Sequence, residues 1–294
     1  MILKSIAIHG RSLNADTIPY YTSIIKYLQE KGIDVSLSEG FRERNSDRLP
    51  TDDFKTFQTI NEDYQPQALF SLGGDGTILD ALTLIGKYET PILGINMGRL
   101  GFLATIGLDQ ILKALDQFFD HKFWYDTRSM VCLQTEDASV FGESKFALNE
   151  LAMIRKETSS MLVIHAYLNG NYLTTYWADG VMVSTPTGST GYSLSCGGPI
   201  LMPQTNNFII TPVSPHNLNL RPLIVADSSE ITFEIDAKEA GFLVSMDSRS
   251  ESFDNPSKLM IRKAPFKANL IRIQGDNFIE TLRNKLSWGL DTRN

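Results

Sequence analysis

Residues 67–77 read Gln67-Ala68-Leu69-Phe70-Ser71-Leu72-Gly73-Gly74-Asp75-Gly76-Thr77, an apolar run that leads straight into three glycines grouped around one carboxylate. A short apolar run broken by glycines is the pattern of a buried strand turning into a helix. The simplest reading of Asp75 is an N-capping acid at that turn. A second reading starts from the backbone. A glycine-rich turn exposes bare N–H groups and the helix N-terminus adds partial positive charge, so the loop can cradle a phosphate without a basic side chain. The stretch lacks the GK[ST] of a Walker loop and the GxGxxG spacing of a dinucleotide fingerprint. A carboxylate in such a nest repels an anion unless it accepts the proton of a hydroxyl that attacks the phosphate.

Upstream of this stretch, Ile2–Ile8 reads as a strand, Pro19–Lys31 as a helix with Ile24, Ile25 and Leu28 on one face and Gly32 as its stop, and Ile33–Leu37 as a strand. Residues 40–65 are charged and poorly periodic, which predicts loop with a short helix. Downstream, a helix from about Thr77 to Lys87, a strand Pro91–Ile95 and a helix Leu108–Phe119 complete a Rossmann-like parallel α/β domain over 1–124. From Tyr125 the texture changes to short alternating runs such as MLVIHAYL, GVMVS, EITFEI and KLMIR. Asn169-Gly170 between two of them is a hairpin signal. Residues 125–268 are therefore expected to form a mostly β, sandwich-like domain. Residues 269–294, with Phe278, Leu282 and Leu286 at helical spacing, are expected to return to the α/β domain.

The chain has 294 residues, 42% hydrophobic and 21% charged, enough for two ordinary domains. No stretch approaches the ~20 apolar residues that span a bilayer, and the start is strand-like rather than a secretory leader, so the expectation is a cytoplasmic protein without a membrane partner. Cys132 and Cys196 are far apart and lack CxxC spacing, which argues against a disulfide framework or zinc site. A net charge of −7 argues against a nucleic-acid partner. His9, His121, His165 and His216 show no metal-ligand spacing and read as structural.

Two further stretches carry chemistry. Residues 178–201, ADGVMVSTPTGSTGYSLSCGGPIL, interrupt the β pattern with hydroxyls and glycines. A solvated polar loop would look similar, yet the flat face of Tyr192 among short Ser and Thr donors suits the base and sugar of a nucleoside. Asn149-Glu150 stands polar within the apolar FALNELAMI; alone it reads as a surface pair.

Together these stretches resemble the NAD kinase family of bacterial type. GGDGT at 73–77, NMGRLGFL at 96–103, LNE at 148–150, DGVMVSTPTGSTGYSLSCGGPI at 179–200, SPHNLNLRPL at 214–223 and NKLSWG at 284–289 occur in the family's order. GGDG alone is shared with lipid kinases and phosphofructokinases; the 179–200 block is far more specific. The resemblance implies transfer of the terminal phosphoryl group of ATP, or in some members of polyphosphate, to the adenosine-ribose 2′-hydroxyl of NAD, with a divalent metal such as Mg²⁺. It implies Asp75 as proton acceptor, with Gly74 and Gly76 beside phosphate or ribose. Asn149 and Glu150 would hold the adenosine portion, and Asp179, Thr190, Gly191, Tyr192, Ser193 and Ser195 the rest of the dinucleotide. It also implies a homo-oligomer, dimer or tetramer.

Two departures stand out. Many bacterial members have Gln where this chain has Arg249, which would place a longer, charged group able to reach a phosphate. Some relatives carry a basic residue or histidine where this chain has Asp80, so that position is left off the expected site. Arg99 is the expected cation for the triphosphate. Three alternatives share parts of the pattern: a lipid kinase, which would want an apolar acyl pocket in place of the hydroxyl-rich block; a sugar-phosphate kinase, which would want an arginine cluster; and a non-enzymatic dinucleotide sensor, which would need no acid in the phosphate loop.

Overall fold

The computed structural model describes residues 3–135, 140–156, 161–236, 241–253 and 257–289. The chain divides into two compact units, Met1–Thr127 with Ala268–Asn294, and Arg128–Lys267.

The first unit is built on a seven-stranded sheet. Its first six strands in chain order are β1 (Ser5–Gly10), β2 (Asp34–Ser38), β3 (Lys55–Phe57), β4 (Ala68–Leu72), β5 (Ile92–Ile95) and β6 (Phe123–Arg128). The seventh, Ala268–Ile273, enters from the far end of the sequence, and the order across the sheet is β3-β2-β1-β4-β5-(268–273)-β6. β1, β2, β3, β4, β5 and the late strand pair in parallel. Every residue of β4 is buried, as expected of a central parallel strand covered on both faces. The helices are α1 (Ile18–Glu30), α2 (Glu39–Asn45), α3 (Asp75–Ile85) and α4 (Ile111–Phe119). α1 has Pro at its start and turns Tyr21, Ile24, Ile25 and Leu28 into the core. The last helix, Phe278–Leu286, belongs to the same unit; Asn277 caps it by accepting from the Ile279 N–H, Leu282 is buried, and Phe278 packs on Phe102 with ring centroids 6.2 Å apart.

The second unit pairs its strands in two six-stranded sheets. One runs 171–178, 162–168, 231–236, 257–263, 131–134, 146–147; the other runs 223–226, 207–213, 180–184, 150–155, 242–246, 249–253. Alternate residues of both, among them Ile164, Phe233, Leu259, Met153, Val183 and Val244, share one buried core. Asn169 and Gly170 have φ of 51° and 76°, the paired positive values that a tight hairpin turn demands. The chain thus adopts the expected parallel α/β fold followed by a β sandwich. Among the described residues no helix is long and apolar enough to cross a membrane.

The differences from expectation are local. α3 begins at Asp75, two residues before the expected start. The charged segment 40–65 holds the expected short helix, α2, which Ser38 caps through the Phe41 N–H, and in addition the three-residue β3 that extends the sheet. β6 closes the first sheet as an edge strand with Trp124 and Tyr125 exposed, so the first unit runs on to Thr127, past the expected boundary at 124/125.

Candidate active site

In the first unit β2 and β3 lie to one side of β1 and β4 and β5 to the other, so the strand order reverses between β1 and β4. Ligands of open α/β sheets bind outside the carboxyl ends of the strands at such a point. Gly10 and Leu72, the last residues of β1 and β4, face each other there. β4 runs directly into Gly73-Gly74-Asp75-Gly76. A Cβ on Gly73 would lie 2.1 Å from Thr77 Oγ1, so only glycine allows the chain to turn this closely onto α3. Nothing lies within 4 Å of where a Gly74 Cβ would be, which leaves the backbone open in front of the helix N-terminus.

Asp75 does not cap its own helix. Gly74 is the N-cap residue and no side chain caps there. The Asp75 carboxylate instead turns to the segment 101–104: Oδ2 accepts from the Phe102 N–H at 2.8 Å, and Oδ1 from the Leu103 and Ala104 N–H groups, each at 3.0 Å. The N-capping reading is corrected on this point. The acid clamps a distant loop, which approaches so closely that a Cβ on Gly101 would fall 1.8 Å from Asp75 Oδ1.

That loop is braced from behind. Asn96, 1% exposed, donates from Nδ2 to the carbonyls of Arg99 and Ala104 and accepts from the Gly98 N–H. Arg272, on the late strand and 5% exposed, donates to the carbonyls of Phe102 and Leu103 and to Thr105, and is ion-paired with Asp126 at 3.0 Å and Asp276 at 3.3 Å. Peptides 102–104 therefore have their carbonyl and N–H sides held by opposite charges. On β1, His9 Nδ1 shares a 2.8 Å hydrogen bond with Ser38 Oγ, and burial pushes its pKa down to about 4, so it is neutral at physiological pH.

The second unit gathers its own polar group. Glu150 opens strand 150–155, and the turn that follows strand 180–184 folds over it. Arg128, buried, holds that turn by donating to Thr187 Oγ1, and Thr185 Oγ1 donates to the Leu148 carbonyl. A Cβ on Gly188 would meet the Asn149 carbonyl oxygen at 2.1 Å, and one on Gly191 would lie 3.0 Å from Glu150 Oε2. Burial, and then the charge of Asp247, raise the Glu150 pKa to about 8, against a pull downward from the Tyr192 N–H. Oε2 is buried with no hydrogen-bond partner. Tyr192 is 41% exposed, and burial, Cys196, Asp179 and Glu150 raise its phenol. Asn149, Glu150, Asp179, Gly191 and Tyr192 thus form one neighbourhood whose unfilled acceptor is a carboxyl oxygen.

The ATP-NAD kinase N-terminal domain model matches residues 6–123 and the ATP-NAD kinase C-terminal domain model matches residues 148–273. An NAD kinase of Cytophaga hutchinsonii is 45% identical over 98% of this chain and 99% of its own, and one of Bacteroides fragilis 37% identical over 98% and 99%. The chain belongs to the NAD kinase family. Two solved structures share its fold: yeast NADH kinase complexed with NADH (TM-score 0.86, 24% identity, 100% of this chain and 90% of that one) and an Archaeoglobus fulgidus NAD kinase in complex with ATP (0.74, 22%, 96% and 98%).

Within the family frame, several expected residues stand differently from the reading of the motif. Ser193 is fully buried with its hydroxyl on Thr211 Oγ1 at 2.9 Å, so it secures the turn from inside. Thr190 Oγ1 donates to the Thr187 carbonyl, while Ser195 is exposed. Asp179 is ion-paired with Arg155 at 3.0 Å. Arg249 is corrected: its guanidinium donates to the carbonyls of Ser144 and Phe146 and lies over the Phe141 and Phe146 rings, 5.8 and 5.7 Å from their centroids, which directs its planar fork into the protein instead of toward a phosphate. Arg99 is exposed on its loop.

Asp247 is a residue the sequence reading passed over. Its carboxylate accepts from the N–H groups of Leu148 and Asn149, both at 2.8 Å, and of Glu150 at 3.3 Å, and burial raises its pKa. It thereby fixes the LNE backbone. With φ at 53° in the turn between strands 242–246 and 249–253, it looks in sequence like any turn aspartate.

Proposed function

We propose that the chain transfers the terminal phosphoryl group of ATP to the adenosine-ribose 2′-hydroxyl of NAD, giving NADP. The observation that carries this reading is the Asp75 carboxylate, fixed by three N–H donors at the start of α3 beside an open glycine backbone. A carboxylate has about four lone-pair directions on its two oxygens. Oδ1 is fully used by Leu103 and Ala104, whereas Oδ2 accepts only from Phe102. Oδ2 is therefore the atom that takes the hydroxyl proton, and the clamp holds it in one place as the phosphoryl group moves. The glycine backbone and the α3 N-terminus receive the donor's phosphate.

The second unit holds the acceptor. Asn149 and Glu150 bind the adenosine portion, and the open face of Tyr192 supports the dinucleotide. If a ribose hydroxyl donates to the unpartnered Glu150 Oε2, binding favours the ionised carboxylate. With its pKa raised to about 8, Glu150 is mostly protonated at pH 7 in the free protein, so NAD binding at pH 7 is expected to release about one proton. Calorimetry in two buffers of different ionisation enthalpy measures this, and Glu150→Gln should abolish the release. Zero exchange or proton uptake by the unaltered protein would remove Oε2 from ribose recognition.

Among the described residues no group of three or more His, Cys, Asp or Glu could hold a metal ion. Mg²⁺ is commonly bound through substrate phosphates and one or two carboxylates rather than by an all-protein cage. The residues therefore fit a metal carried by the nucleotide, where it would neutralise charge on the phosphates, and do not fit a resident cage. Self-association is supported by the edge strand Leu223–Ala226, where Leu223 and Ile224 are exposed, and by an 85% exposed Leu218 shortly before it in sequence. The reading extends to a cytoplasmic homo-oligomer, and the net charge of −7 speaks against a nucleic-acid partner. Neither a lipid kinase nor a dinucleotide sensor gains support from the relatives found.

The direct test incubates the protein with NAD, ATP and Mg²⁺ and couples any NADP to an NADP-specific dehydrogenase. NADP formation is expected, and its absence at saturating substrates would overturn the reading. Replacing ATP by polyphosphate, and NAD by NADH, determines the donor and acceptor range.

A further inference from the structure

Arg11 follows the last residue of β1, at the point where the strand order reverses, and its guanidinium extends over the phosphate loop: a Cβ on Gly76 would lie 3.3 Å from Arg11 Nη2. Its partner is Asp80, one turn along α3, at 3.2 Å. The two side chains are 63% and 37% exposed. Arg44, in the last turn of α2, reaches the same strand end and donates from Nη2 to the Gly10 carbonyl at 3.1 Å. Two guanidinium groups therefore meet at the carboxyl end of β1, beside the bare backbone of residues 73–76.

We propose that Arg11 and Arg44 form the subsite for the outer phosphates of the donor, with the Asp80 carboxylate occupying the Arg11 guanidinium until a phosphate replaces it. The inference rests on the kinase reading and adds to it the residues that meet the donor's charge. The ligand chemistry is a linear chain of anhydride-linked phosphates, from a nucleoside triphosphate or from inorganic polyphosphate. An exposed ion pair of this kind contributes little to stability, so exchanging Asp80 for a more highly charged phosphate oxygen is favourable and costs the fold almost nothing. Arg is suited to the task because its planar fork matches phosphate oxygens two at a time. Arg44 is anchored through one N–H to Gly10 and offers the rest of its guanidinium. Asp80 holds the Arg11 guanidinium in position over the loop.

The test is steady-state kinetics of NADP formation by the full chain. Arg11→Gln is expected to raise KM for the phosphate donor about ten- to a hundredfold, the range of one charge-assisted hydrogen bond, with KM for NAD and kcat at saturating donor nearly unchanged. Asp80→Asn is expected to move the donor KM the opposite way, downward by a few-fold, because the guanidinium loses its competitor. Arg42→Gln, which removes a surface pair with Asp52 on the outside of α2, serves as the control for a general loss of charge and is expected to leave all constants in place. The series is run with ATP and with inorganic polyphosphate, and the Arg11 effect should follow whichever donor the unaltered protein uses. An unchanged donor KM in Arg11→Gln, or a raised one in Asp80→Asn, overturns the proposal. Inactivity of the unaltered protein would instead count against the kinase reading itself.

Discussion

Asp75→Asn is expected to lower kcat about 10²- to 10⁴-fold, the usual contribution of a positioned proton acceptor, while NAD affinity is retained. Phosphoryl transfer often has a loose transition state in which the proton leaves late, which favours the lower end. The structure adds a second consequence. An asparagine oxygen can stand where Oδ1 accepts from Leu103 and Ala104, but its NH₂ then faces the Phe102 N–H, donor against donor. Loss of a hydrogen bond to a charged group costs about 1.5–3 kcal/mol, so the melting temperature should fall by a few degrees as well. The two effects separate the two roles of the residue. If Asp75 only clamps the loop, stability drops and kcat stays close to normal. Parallel measurement of kcat, NAD affinity and melting temperature decides it, and a near-normal kcat would end the case for Asp75 as proton acceptor.

Gly101→Ala reaches the same carboxylate from the other side. The added methyl would lie 1.8 Å from Asp75 Oδ1, 2.4 Å from Cγ and 2.6 Å from Oδ2, so the acid or the whole 101–104 segment must move. A misplacement of about 1 Å in a catalytic group costs roughly 10²-fold, and kcat should fall by at least that much although no functional atom has been removed. Gly98→Ala, on the same loop, is the comparison: its Cβ would find nothing nearer than Asn96 Oδ1 at 3.9 Å. That variant should keep kcat within about twofold, since surface substitutions free of clashes change little. Wild-type turnover in Gly101→Ala would show that the placement of the carboxylate is immaterial.

Most of the architecture was legible because it rests on local periodicity. The buried run Ala68–Leu72, the apolar face of α1 and the Asn169-Gly170 turn each signal their structure within a few residues. β3 was not legible, since three residues carry no period, and β6 was not read as a strand, the expected domain boundary at 124/125 falling inside it. At the candidate site, the glycines and the lone acid were read as a phosphate loop from the sequence alone, and the structure sets them at the open N-terminus of α3. What Asp75 touches was invisible, because its partners are backbone N–H groups 27 to 29 residues away that any sequence would supply. Asp247 was hidden for a similar reason, bonding backbone almost a hundred residues earlier. Ser193 shows the opposite error: a hydroxyl in a ligand-like motif can face inward, and only packing distinguishes the two cases. Arg249 failed as a phosphate contact because nearby carbonyls and two aromatic faces already satisfy its fork.

The strand Ala268–Ile273 sits between β5 and β6 in the first sheet, although the whole second unit separates it from them in sequence. During synthesis the second unit, continuous from 128 to 267, can close as soon as it leaves the ribosome. The first unit must wait with a gap in its sheet. Arg272, which braces the carbonyls of Phe102 and Leu103, arrives on that same late strand. A nascent chain halted before this point lacks the brace behind the loop that holds Asp75. The arrangement proposed for catalysis is thus among the last features to form, and an incomplete polypeptide has no means of assembling it early.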